Sequence, residues 1–149
     1  MRLLMFYAET FAWEPGQPSI PQAEAEPAAG SAAGALVAFI HAEEVDGDRP
    51  GWSVTRAIKQ IKWLAGKFHT REVVLHYFSH LAAERSPPEL ARELVEAMAA
   101  RLRTAGYGVR ITPFGHVCRW SMTVPEDSLG RVFVEIVPPR GERGEEEGA

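Results

Sequence analysis

The succession of two hydrophobic periods along the chain is what most constrains its fold. Apolar runs of strand length occupy residues 2–8 and 35–42, the second reading Ala35-Leu36-Val37-Ala38-Phe39-Ile40-His41-Ala42. Val54, Ala57, Ile58, Ile61, Leu64, Ala65 and Phe68 then recur at helical spacing and predict a helix from a Ser53 cap to about Phe68. Glu72 to Phe78 returns to strand character. In Ser86-Pro87-Pro88-Glu89, Ser86 can cap, Pro87 suits a first turn and Glu89 completes a capping box. The helix this predicts carries the stripe Leu90, Leu94, Met98, Leu102 and stops at Gly106. Strands follow at 108–112, 116–124 and 131–137, with Pro125-Glu126-Asp127-Ser128 as the last turn. This order predicts an α+β domain, a mixed or barrel-like β-sheet with two main helices packed on it.

At 149 residues with 46% hydrophobic content, the chain suits one domain with a single core. It has no apolar run of membrane-spanning length, and its opening, Met1 to Tyr7 followed by Ala8-Glu9, reads as a first strand rather than a signal peptide. The single cysteine, Cys118, excludes an intrachain disulfide and a thiolate metal cluster, so a cytoplasmic location is the default. Of the net charge of −4, the segment Gly141 to Ala149 carries −3 (four acids, one base), which leaves −1 on the preceding 140 residues. Residues 139–149 read as a charged flexible linker or tail beyond a domain spanning 1–138. Trp13 to Gly34, rich in Pro, Ala, Gly and Glu, lacks a period and reads as a surface insertion with a mobile Ala/Gly section.

Two short segments stand out as chemistry-bearing. Leu75-His76-Tyr77-Phe78-Ser79-His80-Leu81 and Thr112-Pro113-Phe114-Gly115-His116 each place an aromatic residue, small residues and a histidine where a predicted strand meets a loop. Two such strand ends in one small domain can wall a shared pocket. His76, within a strand, reads as structural, whereas the backbone after Phe78 and around Gly115 can be offered to a ligand and can stabilise an oxyanion without a side-chain nucleophile. His41, His76, His80 and His116 come with no HExxH helix and no second cysteine, so no metal or cofactor is expected. His116 and Cys118 share a strand face, which allows a thiol–imidazole pair; a lone cysteine in an apolar strand is more often a core residue. On the first helix, Arg56, Lys59, Trp63 and Lys67 fall together with Lys62 nearby. That basic face is either merely solvated or a surface for RNA backbone or domain docking, Trp63 being the feature that favours the second.

The sequence resembles the N-terminal editing domain of archaeal threonyl-tRNA synthetases, a relative of the D-aminoacyl-tRNA deacylase fold. The likeness is carried by the strand leading to Tyr7-Ala8-Glu9, by Leu36-Val37-Ala38-Phe39-Ile40 followed by Glu44-Val45-Asp46, by Tyr77-Phe78-Ser79-His80-Leu81 and by Pro113-Phe114-Gly115. The resemblance implies hydrolysis of the ester of serine mischarged on threonine tRNA, an error that a synthetic site cannot reject well because serine is the smaller near-isostere. It implies that backbone at strand ends holds the amino acid and that the 2'-hydroxyl of the terminal adenosine assists the water. Carried over, the substrate-binding residues are Ala42, Phe78, Ser79, Phe114, Gly115, His116 and Val117. The family pattern has a lysine three residues after the Pro-Phe-Gly turn and a glutamate further on; the ungapped positions here are Cys118 and Arg131. Chemistry carried by those two side chains would be lost, so candidate catalytic helpers are His80, Cys118, Arg119 and Lys59, with Arg56, Lys62, Trp63 and Lys67 as RNA-binding residues. The implied partners are seryl-tRNA(Thr), a second copy of the chain and a catalytic synthetase domain, with no membrane. D-aminoacyl-tRNA deacylation and a non-catalytic tRNA-binding module are the rival expectations.

Overall fold

The computed structural model describes residues 1–139; from Arg140 on, the expected linker lies outside the described residues. The elements run β1 (Arg2–Pro18), β2 (Gly30–His41), a 3-10 turn (Glu44–Gly47), α1 (Pro50–Lys67), β3 (Glu72–Tyr77), α2 (Pro88–Thr104), β4 (Gly108–Ile111), β5 (His116–Thr123), a second 3-10 turn (Ser128–Gly130) and β6 (Arg131–Glu135). They build one six-stranded mixed sheet in the order β4-β3-β2-β1-β5, with β6 also pairing β1. The β2-β3 and β3-β4 pairs are parallel, and each needs a crossover, which α1 and α2 supply. All pairings of β1 are antiparallel. The α+β arrangement of two helices on a mixed sheet is the one expected.

Period 2 along each strand sorts side chains to two faces. Leu36, Ala38 and Ile40 of β2 and Val73 and Leu75 of β3 meet Ala57, Ile61 and Leu64 of α1 and Leu94, Met98 and Leu102 of α2 in the main core. Ala35, Val37, Phe39 and Val74 face the other way and join Phe11 and Trp13 in a second, aromatic cluster. The sheet curls over this second face. Trp120 of β5 lies 5.2 Å, ring to ring, from Phe39 of β2, although β1 separates their strands in the sheet. The result is a trough with a barrel-like curl and β4 at one edge.

Three local readings need correction. The first strand does not end near residue 8, and residues 13–34 are not one insertion: β1 reaches Pro18, β2 starts at Gly30, and only 19–29 connect them. Composition misled because Pro15 and Pro18 sit opposite β5 at a register shift, where the ladder does not require their missing N–H. Gly30 is small because the Trp13 ring lies where a Cβ would be, 2.4 Å from it. Ser53 does not cap α1, which starts at Pro50; its buried hydroxyl donates to Asp46 Oδ1 at 2.7 Å. Ser86 does not cap α2 either. Its hydroxyl donates to the Pro87 carbonyl, and the helix starts from Pro87-Pro88. Beyond the end of α2, Gly106 takes a left-handed φ of 92°, as a helix stop needs.

Buried charge ties the 3-10 turn to the edge of the core. The Met1 ammonium lies 2.9 Å from Asp46 Oδ2 and 3.2 Å from Glu43 Oε1, with Met1 and Asp46 side chains fully buried. Asp46 also accepts from the Glu43 amide and the Ser53 hydroxyl, so its lone pairs are satisfied.

Candidate functional site

At the C-terminal end of β3 the trough opens into a cavity of about 450 Å³. One wall runs from His76 to His80. The other is formed by Gly115 to Cys118 with Trp120, and Ser19, Ile20, Arg85, Ser86 and Pro88 close the ends. Both singled-out segments therefore face one space. Strand alternation explains the lining: His76 points to the aromatic face with Phe78 beyond it, while Cys118 and Trp120 share a face of β5.

Seven of the sequence-derived residues line the cavity, namely Phe78, Ser79, His80, Gly115, His116, Val117 and Cys118. Four do not. Ala42 is fully buried in the main core, and its carbonyl accepts from the Ser86 amide at 2.9 Å, so it anchors the wall from behind. The Phe114 side chain is buried, its ring tilted against that of Tyr77 and lying under Arg92. Arg119 is exposed on β5 opposite Glu14 and lies outside the lining. Lys59 is on the exposed side of α1, whose other side packs on the face of the sheet away from the aromatic cluster. A charge supplied to the cavity by Arg119 or Lys59 has no geometric basis here. Of the RNA-binding candidates, Arg56 lies 5.1 Å from the Trp52 ring and Lys67 6.0 Å from the Trp63 ring; Trp63 is 47% exposed. α1 contributes nothing to the cavity lining, so that basic face and the cavity are separate surfaces.

The connection after β1 is strapped across the Pro-Phe-Gly turn. Ser19 N–H and Oγ both donate to the Gly115 carbonyl, at 2.7 and 2.9 Å, and the Glu24 amide donates to the Phe114 carbonyl at 2.9 Å. Those two carbonyls are thus engaged within the protein. Gly115 has φ 80°, and a Cβ there would sit 2.8 Å from Ala23 Cα. His116 holds the strap through both ring nitrogens, Nδ1 to the Gly16 carbonyl at 3.1 Å and Nε2 to the Glu24 carbonyl at 2.8 Å. Carbonyls only accept, so both contacts are satisfied together only by the protonated ring; the Glu24 carbonyl, then that of Gly16, raises its pKa.

The opposite wall is bolted to β2. His41, fully buried, donates from Nε2 to the Glu84 carbonyl at 2.6 Å and accepts the Leu81 amide at Nδ1 at 3.2 Å. Phe78 N–H donates to the Ile40 carbonyl. Between these anchors the Ser79 and His80 amides donate to no acceptor among the described residues. They remain available to a ligand.

No activated nucleophile accompanies these amides. Burial raises the Cys118 thiol's pKa, and its Sγ contacts the His116 carbonyl at 3.7 Å rather than an imidazole nitrogen. Burial also holds His76 down to about 4. The lining includes Arg85 and His116 and no carboxylate. Among the described residues, no group of three or more His, Cys, Asp or Glu could hold a metal ion, and no helix is long and apolar enough to cross a membrane. Sequence reading missed Trp120 and Arg85 and set His76 aside as structural. Carrying the period-2 face of His116 and Cys118 one step further reaches Trp120; nothing local marks Arg85, which a loop brings in.

The fold is a curled α+β sheet with a cavity at its strand ends. The same fold occurs in the c-Myc DNA unwinding element binding protein, which aligns with a TM-score of 0.68 over 93% of this chain and 100% of its own at 10% identity. The chain belongs to the archaea-specific editing domain of threonyl-tRNA synthetase, whose family model matches residues 1–136. Similar proteins include the threonine–tRNA ligases of Methanopyrus kandleri, 30% identical over 155 residues, and Thermococcus onnurineus, 27% identical over 150 residues. Each alignment covers 99% of this chain and 24% of the relative, so the chain spans about a quarter of their length.

Proposed function

We propose that the chain proofreads by hydrolysing the ester of L-serine misattached to threonine tRNA, releasing serine and free tRNA. The observation that carries this is a cavity with unengaged backbone amides at Ser79 and His80 and no activated side-chain nucleophile. Water is then the nucleophile, the amides stabilise the oxyanion, and the 2'-hydroxyl of the terminal adenosine orients the water. Arg85 and His116 give the cavity a cationic rim suited to the phosphates of a tRNA 3' end. The cavity's volume lies within the range of small-ligand sites. On this reading the domain works in the cytoplasm as a homodimer beside a catalytic synthetase domain, and Arg56, Lys62, Trp63 and Lys67 form a second RNA contact.

Single-turnover deacylation of L-seryl-, L-threonyl- and D-aminoacyl-tRNA(Thr) tests the proposal. L-Seryl-tRNA is expected to be cleaved fastest, and Cys118→Ser to stay within about threefold of the parent, since a protonated thiol is a weak nucleophile. Preferential cleavage of the D-aminoacyl ester would make the domain a D-aminoacyl-tRNA deacylase. Binding of tRNA without cleavage of any ester would make it a docking module. Loss of turnover in Lys59→Ala, His80→Ala and Arg119→Ala alike, all folded, would exclude substrate-assisted hydrolysis.

A further inference from the structure

His76 sits in the cavity floor. It is 5% exposed, packed against the rings of Phe39 at 4.8 Å, Phe78 at 6.1 Å and Phe11 at 6.3 Å. Its Nδ1 lies 2.8 Å from Thr112 Oγ1, and that hydroxyl has the Leu75 carbonyl at 3.5 Å as its other contact. A carbonyl can only accept, so the hydroxyl can turn its proton to Leu75 and offer its lone pair to an imidazole proton on Nδ1. In that tautomer the neutral ring carries a bare lone pair on Nε2. No wholly buried side-chain N or O lacks a partner among the described residues, and Nε2 has none. It therefore touches solvent, and the solvent space that His76 lines is the cavity.

We propose that His76 carries its proton on Nδ1 and that its Nε2 is a specificity determinant that accepts a hydrogen bond from the substrate's side-chain hydroxyl. This rests on the seryl-tRNA reading above and deepens it. An acceptor set among aromatic rings rewards a ligand that brings a compact neutral donor and penalises one that leaves it dry and unpaired. Serine's hydroxyl is such a donor. The α-ammonium is better placed toward water at the mouth, because the lining has the Arg85 guanidinium and no carboxylate to receive it. Water activation by His76 is the competing role. It calls for a base poised near the working pH, which a ring held neutral by burial is not.

The test measures binding of non-hydrolysable 3'-amide analogues of seryl- and alanyl-adenosine to the parent, His76→Phe and His76→Gln, with ¹⁵N NMR of the imidazole. The parent is expected to favour the seryl over the alanyl analogue by about tenfold or more, as loss of one buried hydrogen bond implies. His76→Phe should reduce that ratio to within about twofold, and the Gln oxygen should restore part of it. In the parent, the non-protonated Nε2 signal should shift on adding the seryl analogue and not the alanyl one. A ratio unchanged in folded His76→Phe, or a parent spectrum showing the proton on Nε2, overturns the proposal. So does an equal loss of seryl- and alanyl-tRNA cleavage in His76→Phe with the binding ratio intact, which would assign His76 to water activation. If seryl-tRNA is not cleaved but the ratio holds, the editing reading fails and the His76 contact stands; cleavage with a flat ratio gives the converse.

Discussion

Lowering the pH from 7 to 4 will destabilise this domain through His76 alone by about 3 kcal/mol. The ring sits at about 4 in the fold against an ordinary 6.5, because protonation would put a charge among Phe11, Phe39 and Phe78. The depressed value belongs to the folded state, so the unfolded chain binds the proton first as pH falls. The contribution to stability is whole above 6.5, declines as pH falls from 6.5 to 4, and is gone below the folded value. The difference of about 2.5 units, at about 1.36 kcal/mol each, gives the 3 kcal/mol. For a chain of this size that corresponds to a fall in Tm of roughly 6–12 °C. Urea unfolding of the parent and His76→Phe at half-unit pH intervals isolates the contribution, since other titrating groups are common to both. The parent's curve should drop below that of the variant by about 3 kcal/mol between pH 6.5 and 4, whatever their offset at pH 7. Parallel curves, or an NMR titration placing His76 at 6.5 or above, would refute the reasoning.

Asp46→Ala removes the acceptor of the Glu43 amide and the Ser53 hydroxyl and one partner of the buried Met1 ammonium, which keeps Glu43 Oε1 and the Ile136 carbonyl, and is expected to cost about 2–3 kcal/mol in urea unfolding, against about 1 kcal/mol for Ser53→Ala. A loss under 1 kcal/mol for Asp46→Ala would show that the buried pair is not held as described. Gly115→Ala forces a Cβ to within 2.8 Å of Ala23 Cα from a left-handed backbone, so the strap must lift. Hydrogen exchange at the Ser19 and Glu24 amides should rise at least tenfold, and unchanged protection would contradict this. The His116 pKa is raised by the Glu24 and Gly16 carbonyls and by the Glu24 carboxylate, so its protonated ring holds the strap fully below pH 6.5 and loses its grip as pH rises through the folded value. Exchange at Glu24 should therefore quicken with pH beyond its intrinsic slope in the parent and not in His116→Gln.

Both helices were legible because their signal is local. A stripe such as Val54, Ala57, Ile58, Ile61 repeats within a few residues, and burial of that stripe is what makes the helix stable. The β1-β2 hairpin beyond residue 8 was not legible. Trp13 and Gly30 make sense only as partners, and Pro15 and Pro18 are tolerable only beside a bulge formed with β5, about a hundred residues away. Strand pairing depends on a distant partner that the chain around a residue does not encode.

The candidate site divides in the same way. From its sequence alone the chain declared two strand ends that could wall one pocket, the absence of a cysteine pair and the likeness carried by Tyr77-Phe78-Ser79-His80-Leu81 and Pro113-Phe114-Gly115. Tertiary structure decided which side chains face the cavity. The curl of the sheet sets Trp120 beside Phe39, the strap turns His116 into a clamp, and the parallel β3-β4 pair puts Thr112 against His76. A histidine's tautomer and basicity are set by what its ring touches, and for His76 the decisive contacts come from Phe11, Phe39 and Thr112, each more than thirty residues away along the chain.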